Sequence, residues 1–128
     1  GQQKILTFLI ESGEVFHGYI EEQRVEFSKL VDSNLILIQY GCGSDGFRLL
    51  NEIRRIGKLD RIECLCDSNP KLQGREIFGK RIYSFEVIKE KFPEAVYLVA
   101  SINYGDEIGG RLAEWKIRQE CIYQVNFC

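Results

Sequence analysis

The sequence predicts an α/β domain: a mostly parallel sheet of four or five strands layered between helices, preceded by N-terminal helices. Two observations carry that reading. From Asn34 onward, short apolar runs alternate with amphipathic stretches, and strand-helix alternation leads to right-handed crossovers and a parallel sheet. The chain has 128 residues, 45% hydrophobic and 28% charged, which suits one compact domain and leaves no room for two.

Residues 1–33 are read as a helical extension. Leu6, Phe8, Leu9 and Ile10 form a first apolar cluster; after Ser12-Gly13 comes a second, with Val25, Phe27, Leu30 and Val31. No chemistry is visible there, so packing, docking to a neighbouring domain or homodimerisation is the expected role. The domain proper, 34–128, opens with Leu35–Tyr40. This run is apolar except for Gln39, as in a strand buried on both faces. Phe47–Ile56 follows as a helix, with Leu49, Leu50, Ile53 and Ile56 on one face and Gly57 as its stop. Arg61–Cys66 is the second strand. Asp67-Ser68-Asn69-Pro70 is a turn, because Asp and Asn bond nearby backbone and Pro fixes φ.

An irregular stretch, Lys71 to Arg81, leads to a short strand at Arg81–Tyr83. Its Lys71, Arg75, Lys80 and Arg81 read as a solvated basic face, with a loop that embraces a phosphate as the alternative. Ser84 caps a helix over Phe85–Phe92, which Pro93 ends. Ala95–Ser101 is the next strand, Asp106–Ile117 a helix carrying Ile108, Leu112 and Trp115, and Cys121–Val125 the last strand.

The chemistry concentrates after the first strand. Gly41-Cys42-Gly43-Ser44-Asp45-Gly46 satisfies G-x-G-x-x-G. In such a turn the first glycine makes the bend, the second lets a phosphate approach the backbone, and the third lets helix and strand pack closely. The helix N-terminus supplies free N–H groups and a positive dipole end. Asp67 stands at the end of the second strand, 21 residues after Gly46. That is the place of an acid that accepts from ribose hydroxyls and repels a 2′-phosphate, so NAD is expected over NADP. A plain Asx turn is the competing role for Asp67. Asp45 adds a negative charge in the first helical turn and is expected to face solvent. Ligands of open sheets bind at the carboxyl ends of the strands, so Ser68, Asn69, Ser101, Asn103 and Tyr104 complete the expected cofactor-binding set.

Other chemistries lack their residues. No Tyr is followed four residues later by Lys, and there is no G-x-S-x-G, no Walker-type loop and no H-E-x-x-H. The catalytic residues are therefore unknown. Five cysteines without a C-x-x-C and a single His17 make no zinc signature, so no metal is expected. The cysteines read as core residues of a reduced, cytoplasmic protein. Cys42, beside the helix terminus, is a candidate for a lowered pKa. Seventeen Lys and Arg against nineteen Asp and Glu give a net charge of −2, which argues against nucleic acid as partner. The longest apolar run, Ala95 to Ala100, is too short to span a membrane. The chain opens on Gly1 and holds no Met, which reads as an excised domain.

Gly41–Gly46, the run Cys66-Asp67-Ser68-Asn69-Pro70-Lys71-Leu72-Gln73-Gly74, and then Ile77, Gly79 and Ile82 carry a resemblance over about residues 34–125. They resemble the Rossmann-type nucleotide-binding domains of bacterial surface-polysaccharide biosynthesis. Such domains precede the catalytic part of nucleotide-sugar dehydratases and epimerases and of sugar acyltransferases, and similar modules accompany FkbM-like methyltransferases and glycosyltransferases. The resemblance implies a three-layer Rossmann-like sandwich with strand order 3-2-1-4-5. It also implies NAD or a nucleotide-diphospho-sugar as ligand, the glycine loop on its phosphates and Asp67 on a ribose or base. Residues 1–33 lie outside it. The leading expectation is a nucleotide-binding domain of a larger or multi-component enzyme. A small NAD-dependent nucleotide-sugar dehydrogenase or epimerase, completed by dimerisation or another domain, and a protein-interaction module are the alternatives.

Overall fold

The computed structural model describes residues 4–9, 14–15, 29–30, 32–100, 114, 116–118 and 121–127. Its elements are β1 (Lys4–Leu9), β2 (Glu14–Val15), β3 (Leu37–Tyr40), α1 (Ser44–Arg55), β4 (Ile62–Cys66), β5 (Glu76–Ile77), β6 (Lys80–Tyr83), α2 (Phe85–Lys91), β7 (Val96–Ala100) and β8 (Ile122–Phe127). The sheet order is β2-β1-β8-β7-β3-β4-β6-β5. From β1 through β6 every neighbouring pair is parallel, and β2 and β5 are short antiparallel additions at the two edges. The expected order 3-2-1-4-5 is present as β6-β4-β3-β7-β8.

Why β3 takes the centre follows from its composition. All four of its residues are buried, and alternate residues serve opposite faces. Leu37 packs with Leu49, Leu50 and Ile53 of α1; Ile38 and Tyr40 pack with Phe85 and Ile88 of α2. One helix therefore covers each face. Ser84 caps α2 through its hydroxyl, which accepts from the Val87 N–H at 3.4 Å. At the end of α1, the N–H groups of Gly57 and Lys58 return to the carbonyls of Arg54 and Ile53.

The N-terminal reading needs correction. Lys4–Leu9, expected as helix, is a strand paired in parallel with β8, Lys4 opposite Tyr123 and Phe8 opposite Phe127. A short run rich in Ile, Thr, Phe and Leu fits either period, and the open edge of β8 decides it as a strand. Glu14–Val15 folds back on β1. Of the second expected helix only Lys29 and Leu30 fall among the described residues, and they are helical. Of the helix expected over Asp106–Ile117, Glu114 is helical, Lys116 is a turn residue with φ +59° and Ile117 is outside any helix; the rest lies outside the described residues.

The irregular stretch is a hairpin. Glu76 pairs with Arg81 and Ile77 with Lys80 around Phe78 and Gly79, whose φ values are +51° and +81°. Two successive positive φ angles are what a tight two-residue hairpin requires. The Phe78 ring rests 5.4 Å from that of Phe47 on α1, with the Arg54 guanidinium 4.7 Å from its centroid.

Candidate functional site

The site is built where β3 gives way to α1. Gly41 takes φ +101°, which turns the chain sharply off the strand, and its N–H donates to the Cys66 carbonyl at 2.8 Å. Gly46 is buried against the same turn: a Cβ there would collide with the Gly41 carbonyl. Gly43 is different. It is exposed, sits at the N-cap of α1 with extended backbone, and a Cβ there would meet nothing within 4 Å. No side chain caps α1, so its first N–H groups open onto that free space. Gly41 and Gly46 thus have steric reasons to be glycine, whereas at Gly43 the protein itself leaves room for a side chain.

Asp67 closes the other side. One carboxylate oxygen accepts from the Cys42 N–H at 2.8 Å and the other from the Asn69 N–H at 2.8 Å. Its backbone is tied as well, its N–H donating to the Tyr83 carbonyl and its carbonyl accepting from Gln73 Nε2 at 2.9 Å. The Asx turn expected as the competing role is thus present, and the same carboxylate also grips the glycine loop, a contact the sequence did not announce. Each carboxylate oxygen has a second lone pair for a further donor. Asn69, exposed, caps the next turn through the Lys71 N–H at 3.0 Å. Ser68 lies half-buried between them.

Ser44 is exposed and Asp45 half-buried in the first turn of α1. Ser101, Asn103 and Tyr104 lie outside the described residues, as does His17. β7, which ends at Ala100, runs parallel beside β3, with Val99 opposite Tyr40. Among the basic residues of the hairpin region, Arg81 pairs with Glu76 at 3.7 Å with both side chains exposed.

Cys42 corrects an expectation. The helix terminus does not activate it: burial, with Asp67 beside it, pushes its thiol up to about 12 from an ordinary 9.0. Its Sγ lies 3.7 Å from the Cys66 carbonyl. Cys64 is likewise pushed up to about 11, chiefly by burial, and Cys66 higher still. These thiols are packing groups. Among the described residues no set of three His, Cys, Asp or Glu is placed to hold a metal. A cavity of about 110 Å³, lined in part by Tyr97, Lys116 and Cys121, lies at the amino ends of β7 and β8, opposite the glycine loop.

Gln39 was not among the expected site residues. It is fully buried in β3, and its Nε2 donates to the carbonyls of Gly41 at 3.1 Å and Gly46 at 2.7 Å. The signal was legible as the one amide interrupting an apolar strand two residues before the turn.

Known proteins resemble this chain in fold. The crystal structure of RSP, a Rex-family repressor, aligns with TM-score 0.52 at 16% sequence identity, covering 84% of this chain and 60% of that one. RSP in complex with β-NADH aligns with TM-score 0.49 at 16% identity, covering 87% and 63%. The shared feature is the Rossmann-like sheet with its helices. A chloroplastic pentatricopeptide repeat-containing protein of Arabidopsis thaliana is 27% identical over 99 residues, which are 73% of this chain and 17% of the plant protein. The chain thus spans less than two thirds of the length of each of these proteins. No family model matches.

Proposed function

We propose that this domain binds a nucleotide diphosphate, NAD or a nucleotide-diphospho-sugar, with the phosphates on the backbone of Gly41–Gly46 and a ribose on Asp67. One observation carries the reading: the uncapped amino end of α1 opens onto free space at Gly43. A helix N-terminus approached through a glycine is an anion site by construction. Asp67, bonded to the Cys42 N–H, adds an acceptor for ribose hydroxyls beside it, and its charge favours NAD over its 2′-phosphorylated form. Ser44, Asp45, Ser68 and Asn69 border the site, and Ser101, Asn103 and Tyr104 are proposed to complete it. The fold likeness to a Rex-family repressor agrees with the Rossmann-like architecture that this reading needs.

Within this reading the chain is the binding part of a larger assembly, and substrate chemistry comes from elsewhere. Bacterial surface-polysaccharide biosynthesis is the proposed setting, supported by the Cys66–Gly74 run. Titration calorimetry with NAD, NADP, UDP-sugars and coenzyme A tests the ligand. NAD or a UDP-sugar is expected to bind, and Gly43→Val to abolish binding without changing the melting temperature, because the added side chain enters open space. Unchanged affinity in Gly43→Val would overturn the site.

A further inference from the structure

We infer that Gln39 is a positioning residue that, together with Asp67, clamps the Gly41–Cys42 peptide and so sets the direction in which the glycine loop presents its N–H groups. A trans peptide carries its C=O and the following N–H on opposite sides of one plane. Here the Gly41 carbonyl accepts from Gln39 Nε2 at 3.1 Å, and the Cys42 N–H of the same plane donates to Asp67 Oδ2 at 2.8 Å. One plane is therefore held from two strands, β3 and the end of β4. The second Gln39 amide proton reaches the Gly46 carbonyl at 2.7 Å, so the same side chain ties the first glycine to the third.

Packing does not account for this residue. Gln39 is fully buried beside an apolar cluster, and among the described residues no donor meets its Oε1. An amide oxygen buried without a partner is costly, and an apolar side chain of similar volume would avoid that cost. The residue that is present instead uses both of its donors on the loop. Gly41, at φ +101°, is a position where a peptide can swing unless something holds it.

The affinity consequence rests on the nucleotide-binding reading, but the clamp itself is measurable in the free protein. Gln39→Met keeps the volume and removes the donors. Amide hydrogen exchange at Cys42 is expected to quicken by about tenfold or more, with amides in β4 unchanged and the melting temperature only slightly lowered, since the loss of a donor to the Gly41 and Gly46 carbonyls is offset in part by removal of the unpartnered Oε1. Asp67→Ala frees the same plane from its other side, and the double variant is expected to exchange no faster than the faster single one, as for residues acting as a unit. NAD affinity is expected to fall by about tenfold in Gln39→Met. Unchanged exchange at Cys42 overturns the clamp. So does a general rise in exchange with a strongly lowered melting temperature, which would mark Gln39 as merely structural. If the wild-type chain binds none of the nucleotides, the functional reading fails while the exchange result still decides the clamp.

Discussion

At the scale of single residues, the loop is tight in one place and open in another, and substitutions should divide accordingly. Gly46→Ala drives a methyl group into the Gly41 carbonyl. The expected cost is about 1–3 kcal/mol, the range for overpacking, read from urea denaturation. The buried thiols add a pH dependence. In the unfolded chain they ionise near 9.0, whereas folded Cys64 and Cys42 hold their protons to about 11 and about 12. Above pH 9 the unfolded state therefore binds fewer protons, and stability falls as pH rises toward those values. Cys42→Ala should flatten that fall in a series of melting curves from pH 8 to 11. Alkylation at pH 8 should label half-buried Cys121 before Cys42, Cys64 or Cys66.

At the scale of elements, α2 depends on its cap and the hairpin on its turn. Ser84→Ala removes the bond to the Val87 N–H, at an expected cost of about 0.5–2 kcal/mol in thermal or urea unfolding. Phe78 is held at φ +51°, where a bulky residue is strained, by its contacts with Phe47 and Arg54. Phe78→Ala keeps the strain and loses the contacts; Phe78→Gly loses the contacts and relieves the strain. The glycine variant should therefore melt above the alanine variant, the reverse of the usual ranking at negative φ. Five of the six strands from β3 onward were legible, β3, β4, β7 and β8 as short, mostly apolar runs next to a helical pattern or a turn and β6 from its place after Gly79 and before the Ser84 cap. β5 was not, since Glu76-Ile77 is too short to show a period and exists through its pairing with β6. Ser84 and the Asx turn at Asp67 were legible because their bonds are local. The grip of Asp67 on Cys42 was not, because it joins residues that only the parallel register of β3 and β4 brings together, and that of Gln39 on Gly46 was not, because it depends on how sharply the turn at Gly41 folds α1 back over β3.

At the scale of the whole molecule, Lys4–Leu9 and Glu14–Val15 belong to the sheet rather than to an appendage of helices. Its apolar cluster was visible, but the partner that makes it a strand lies at the far end of the chain. Removing residues 1–33 leaves the β8 edge unpaired, and open edges invite association. Such a truncation should show a lower melting temperature and concentration-dependent aggregation in light scattering; a monodisperse truncation with unchanged melting would show that β1 is dispensable. The pairing of β1 with β8 also orders events during synthesis. The core strands β3, β4, β6 and β7 can assemble once the chain has been made as far as Ala100, with neighbours close in sequence. Of the described strands β1 is made first and its partner β8 last. β1 thus has to wait for β8 before it can dock, and until then its unpaired backbone is a segment that a chaperone would have to shelter.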